Sequence, residues 1–65
     1  MAVKASQVNE LRERINVGPV VAHELLVLAG GDVDMATEAS LESRGLDQCR
    51  ARIIDKRFEN IEKQL

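Results

Sequence analysis

The stretch Leu28-Ala29-Gly30-Gly31-Asp32-Val33-Asp34-Met35-Ala36 closes one helix and opens another within two residues. Gly30 and Gly31 tolerate the left-handed backbone that ends a helix. Asp32 then caps the next helix by accepting hydrogen bonds from its first free backbone N–H groups. Asp34, in the first turn, is an acid suited to the positive end of the helix dipole. A junction of this kind folds two helices back on each other and makes a scaffold. It contains no reactive chemistry, so it points to recognition rather than catalysis.

Downstream, the pattern predicts a third helix from Val33 to about Arg44, with Val33, Ala36, Ala39 and Ser40 on its inner face. Gly45 is expected to end it and Leu46 to make the hydrophobic closing contact. Upstream, a second helix is expected from Pro19, whose missing N–H has no partner at a first helical position, to about Ala29. It is apolar nearly all round, interrupted only by His23 and Glu24, and is expected to be the most buried element. A first helix is expected with Ser6 as N-cap and with Val8, Leu11 and Ile15 on one face. Asn16-Val17-Gly18-Pro19 breaks it. Leu11, Leu25, Leu26, Val33 and Ala36 are the expected core.

The fourth segment differs in character. Asp47 is expected to cap a helix running to the C-terminus, on which Ile54, Phe58, Ile61 and Leu65 fall at the spacing of a helix-pairing seam. Arg57, Glu59, Glu62 and Lys63 flank that stripe with both signs of charge, and Glu59 and Lys63 are in the favourable order for an exposed ion pair. Two readings stand: the stripe packs on the bundle and enlarges a thin core, or it pairs with a second copy, making a homodimer, or with another helix. The sequence therefore predicts an all-α fold. A compact three-helix bundle over residues 1–45 is followed by an amphipathic C-terminal helix over residues 46–65.

Composition sets the outer bounds. A chain of 65 residues holds one small domain with a core of limited stability. With no Trp or Tyr and Phe58 as its one aromatic, that core is aliphatic. Cys49 is alone and forms no internal disulfide, which fits a reducing compartment. No apolar run reaches the length of a membrane span and no signal-peptide stretch opens the chain, so a cytoplasmic protein is expected. Net charge is −2 but uneven: residues 1–42 carry three basic and seven acidic side chains, residues 43–65 six basic and four acidic.

Candidate chemistry is sparse. His23 is the single histidine and reads as a partly exposed helix residue. Cys49, near a helix start with Arg50 and Arg52 beside it, has the setting of a reactive thiol, although a quiet, partly buried thiol is the preferred reading. His23 and Cys49 are too few ligands for a metal site, and Asp32 and Asp34 too few oxygens for a cation loop. No cofactor is expected. Arg44, Arg50, Arg52, Lys56 and Arg57 form a basic cluster about the start of helix four, and a small nucleic-acid-binding regulator is an alternative on that account. The acidic second and third helices and the modest field count against it.

Val8-Asn9-Glu10-Leu11-Arg12-Glu13-Arg14, Gly18, and Ala29-Gly30-Gly31-Asp32-Val33-Asp34-Met35-Ala36 resemble the N-terminal module of the bacterial elongation factor Ts family. That module has a Val-Lys-Glu-Leu-Arg-Glu start, a Thr-Gly-Ala-Gly turn and an Ala-Asn-Gly-Asp-Ile-Glu-x-Ala-Ile junction, and belongs to the wider ubiquitin-associated (UBA-like) fold. The resemblance covers about residues 8–45. It implies a three-helix UBA-like fold and a bacterial or phage-borne protein-interaction module that docks on the elongation GTPase. Because the chain ends before the family's large core domain, docking without nucleotide exchange is expected. By the same resemblance the partner surface is the loop Asn16, Val17, Gly18 and Pro19, the end of helix three at Leu41, and Arg12 at the rim. Gly18 is its sharpest probe, since a left-handed backbone there makes Gly18→Val distort the loop.

Ubiquitin-binding relatives of the fold offer a second alternative. They use a Met-Gly-Phe or Met-Phe-Pro loop and, in one branch, a Leu-Leu pair late in helix three. Val17-Gly18-Pro19 and Ser40-Leu41 stand at those places, and these smaller anchors argue against tight ubiquitin binding.

Overall fold

The computed structural model describes residues 3–64, with side chains through Glu62. Four helices occur among these residues, α1 (Ala5–Arg14), α2 (Pro19–Leu28), α3 (Val33–Leu41) and α4 (Leu46–Gln64), and no strand. The protein is an all-α bundle with a radius of gyration of 11.1 Å.

The α2–α3 junction forms as its sequence dictates. Gly30 and Gly31 have φ of 67° and 86°, and they are the positive-φ residues of the described chain. Their N–H groups donate to the carbonyls of Val27 (3.2 Å) and Leu26 (2.8 Å), satisfying two of the orphan acceptors at the end of α2. Asp32 caps α3 by accepting from the Met35 N–H at 3.0 Å. Two distant side chains hold this turn in place. Gln7 of α1 donates to the Gly31 carbonyl at 3.0 Å and Arg57 of α4 to the Leu28 carbonyl at 2.9 Å.

Leu11, Leu25, Leu26, Val33 and Ala36 are all buried, joined by Ala22, Ala29, Ala39, Cys49 and Ile53. Leu11, Leu25, Leu26 and Ile53 are the largest fully buried side chains. Alanines at 22, 36 and 39 let the helices approach closely, so four large aliphatic groups from three helices meet in the middle. The core is aliphatic, as the composition requires.

Several boundaries and faces differ from the sequence expectations. The N-cap of α1 is Lys4 rather than Ser6: the Gln7 side chain reaches back to accept from the Lys4 N–H at 2.9 Å, and Ser6 lies exposed in the first turn. α2 is buried on one side only, with Val20 and Val27 exposed, because three neighbouring helices cannot cover every face of the fourth in so short a chain. α3 stops at Leu41, three residues before Arg44. The Ser43 hydroxyl takes the Ala39 carbonyl and the Ser43 N–H takes the Ser40 carbonyl, which closes the last turn early. Gly45 has no positive φ and does not end α3. Leu46 and Asp47 are the first two residues of α4, so Leu46 is not a closing contact for α3 and Asp47 is a first-turn acid inside the helix, not its cap.

The largest correction concerns the face that α4 turns to the bundle. Cys49 and Ile53 are buried there, whereas Ile54, Phe58 and Ile61 are 48%, 64% and 51% exposed. The reading that packed this stripe into the core is therefore overturned; Leu65, its last expected member, lies outside the described residues. Ion pairs border the docked face. Arg50 bridges α4 to Glu24 of α2, Arg52 reaches Glu42 at the end of α3, and Lys56 reaches Glu38 and Glu42. The uneven charge of the sequence is thus an electrostatic seam between an acidic bundle and a basic helix face.

Candidate protein-docking cleft

The two loops that join α1 to α2 and α3 to α4 lie side by side at one end of the bundle. Between them is an open cleft of about 460 Å³, walled by Ile15, Asn16 and Val17 on one side and by Leu41, Ser43, Arg44 and Leu46 on the other. Leu25, Ser40 and Cys49 form its floor. The local sequence explains the arrangement. Ile15 leaves α1 in extended backbone, and Gly18 and Pro19 start α2 after three residues. Across the cleft, the Gln48 side chain accepts from the Arg44 N–H at 2.7 Å and ties the α3–α4 loop to the first turn of α4.

The cleft has apolar walls with a cationic rim. Leu41 is 75% exposed although it is aliphatic, and Leu46 beside it is also exposed. Val17 and Ile15 are half-buried opposite them. Of the two arginines at the rim, Arg14 is occupied by Glu10 and Asp34. The Asp34 contact, chiefly through its hydrogen bond, raises the Arg14 pKa further above its ordinary value. Arg44 has no carboxylate partner among the described residues. On the floor, Ser40 Oγ and Cys49 Sγ are 3.2 Å apart, the serine half-buried and the cysteine buried, which fits the quiet reading of the thiol.

The structure brings together three of the six residues expected at a partner surface, Asn16, Val17 and Leu41. Arg12 lines an adjoining shallow hollow with Asn9, Glu13, Asn16 and Val17, so Asn16 and Val17 form the ridge between the two. Gly18 and Pro19 are exposed beside the ridge but line neither hollow. Gly18 has φ of −74° and ψ of 170° and no atom within 4 Å of an added Cβ, so its left-handed role is corrected: the backbone there does not require glycine. Arg44 and Leu46 were missed as site residues, because Leu46 after a glycine reads as the end of α3 rather than as the opposite wall.

The other candidate chemistry does not converge. His23 is exposed on α2, and no group of His, Cys, Asp or Glu among the described residues is placed to hold a metal ion. In the basic cluster, Arg50, Arg52 and Lys56 are engaged by carboxylates of the bundle, leaving Arg44 and Arg57 without such partners among the described residues. The bidentate Glu24–Arg50 contact, through its hydrogen bonds first, lowers the Glu24 pKa and raises that of Arg50. No described helix is long and apolar enough to cross a membrane. No protein-family model, curated protein or solved structure matches the chain.

Proposed function

We propose that the protein is a non-enzymatic, cytoplasmic protein–protein interaction module that captures an apolar anchor of its partner in the cleft between Val17 and Leu41. The observation that carries this reading is Leu41. A leucine three-quarters exposed on a folded scaffold, facing a second apolar wall, is a side chain with unburied surface to contribute on association. Arg44 at the rim adds a preference for a carboxylate next to that anchor. The resemblance of residues 8–45 to the elongation factor Ts module supports a UBA-like fold and names the leading partner, the bacterial elongation GTPase. The lining supplies apolar contact, hydrogen bonds and one open cation, which suits binding rather than bond making.

The test is calorimetric titration of the chain into purified bacterial elongation GTPase. Binding is expected, and Leu41→Asp is expected to weaken it at least tenfold, which at about 1.4 kcal/mol per factor of ten is within reach of one buried leucine. Leu41 is exposed in the free protein, so this variant keeps its fold. No heat at any concentration, or unchanged affinity for Leu41→Asp, overturns the reading.

A further inference from the structure

We infer that the exposed face of α4 is a parallel pairing surface for a second copy of this chain, independent of the cleft. Ala51, Ile54, Phe58 and Ile61 follow one another at spacings of three, four and three, the core positions of a coiled-coil seam. All four are exposed. Leu28 at the end of α2 extends the apolar strip beside Ile54, Phe58 and Ile61. The face that docks on the bundle, Cys49, Ile53 and Lys56, lies on the opposite side of the helix. Two copies can therefore bring their seams together with each bundle on the outside.

Charge selects both the occupant and its direction. On one flank of the seam lie Arg50 and Arg57, and on the other Asp55 and Glu62. Each arginine precedes an acid of the opposite flank by five residues, the offset at which flanking side chains meet across two parallel helices. Parallel pairing of two identical helices thus sets Arg57 against the partner's Glu62, twice over. Antiparallel pairing sets arginine flank against arginine flank and acid flank against acid flank, which is repulsive. Arg50 is already held by Glu24 and Asp47, so the Arg57 pair carries the orientation. Arg57 donates one N–H to the Leu28 carbonyl and keeps its other donors. Neither Asp55 nor Glu62 has an ion-pair partner among the described residues. A stripe of Phe and Ile flanked by its own complementary charges fits a second copy of itself.

Sedimentation equilibrium of the wild-type chain over a wide concentration range is expected to show a reversible monomer–dimer equilibrium. Phe58→Asp is expected to remain monomeric with undiminished helix content, because Phe58 does not enter the core. Ala51→Cys under mild oxidation is expected to give a covalent dimer, while the wild type, whose Cys49 is buried, does not. Glu62→Arg alone should weaken the dimer roughly tenfold, since two attractive pairs become repulsive. Mixing it with Arg57→Glu should restore association as a heterodimer. A wild-type monomer at the highest concentration overturns the inference and returns the stripe to a foreign helix. A dimer without the Ala51→Cys cross-link, or without rescue in the charge-reversed mixture, overturns the parallel arrangement.

Discussion

Replacing Gly30 and Gly31 by alanine, singly and together, probes the junction from which the fold is built. Both glycines are left-handed, at φ of 67° and 86°. An L-residue in that region costs roughly 1–2 kcal/mol, and the smaller freedom of the unfolded alanine chain returns about 0.4–1 kcal/mol of that. Crowding adds little, since the nearest atoms to an added Cβ are the Arg57 guanidinium at 3.5 Å and the Gln7 amide at 3.6 Å, both ends of flexible side chains. Each substitution should therefore destabilise by about 1 kcal/mol, and the pair by about 2 kcal/mol, with a fall in Tm of roughly 4–8 °C per kcal/mol in a domain of this size. Gly45→Ala is the internal control. It has neither a positive φ nor any neighbour within 4 Å, so the gain from a stiffer unfolded chain and the loss from alanine at the position before α4 oppose each other and leave it within about 1 kcal/mol of the wild type. Urea unfolding followed by circular dichroism measures all four proteins. If Gly30→Ala and Gly31→Ala are no more costly than Gly45→Ala, the account of the junction is wrong.

Two further outcomes follow from the packing of α4. Ile53→Ala should cost about 2–4 kcal/mol, comparable with Leu25→Ala, because both side chains are fully buried; a loss below about 1 kcal/mol in denaturant unfolding would show that α4 is not integral to the fold. The Glu24–Arg50 contact gives an acid-sensitive contribution. Its hydrogen bonds hold the Glu24 carboxyl below its ordinary value of 4.5, so that contribution is present above this value and is lost as pH falls through the lower, folded value. The stability difference between wild type and Glu24→Gln should accordingly shrink on acidification, and thermal melts over a pH series showing a constant or growing difference would contradict the pairing.

The parts of the fold that local hydrogen bonding decides are legible in the sequence. Gly30 and Gly31 take the positive φ that other residues resist, Asp32 is a preferred helix cap, and Pro19 starts α2 where a proline is best tolerated. What depends on distant partners is not legible in the same way. α4 carries two apolar stripes, Cys49 with Ile53 and Ile54 with Phe58 and Ile61, and the second is the larger. Periodicity favours it, yet the helix turns the smaller stripe inward, where Ile53 is fully buried, and in that rotation Arg50, Arg52 and Lys56 meet Glu24, Glu38 and Glu42. The trace in the sequence is the charge imbalance between residues 1–42 and 43–65, which has meaning only once the two parts face each other. The end of α3 has no glycine or proline to mark it; it is closed by the Ser43 hydroxyl on the Ala39 carbonyl and the Ser43 N–H on the Ser40 carbonyl. At the cleft, Asn16, Val17 and Leu41 are residues expected at one surface from the sequence, whereas Arg44 and Leu46 join them only through the early stop of α3.

The proposed docking of a partner between the loop at Val17 and the end of α3 is tested most directly by a nuclear magnetic resonance titration of isotope-labelled chain with unlabelled bacterial elongation GTPase. Amide shifts or broadening should concentrate at Ile15, Asn16, Val17, Leu41, Arg44 and Leu46, the residues that wall the cleft. Perturbation confined to the outer face of α4 around Ile54, Phe58 and Ile61, or none at saturating partner, would contradict it.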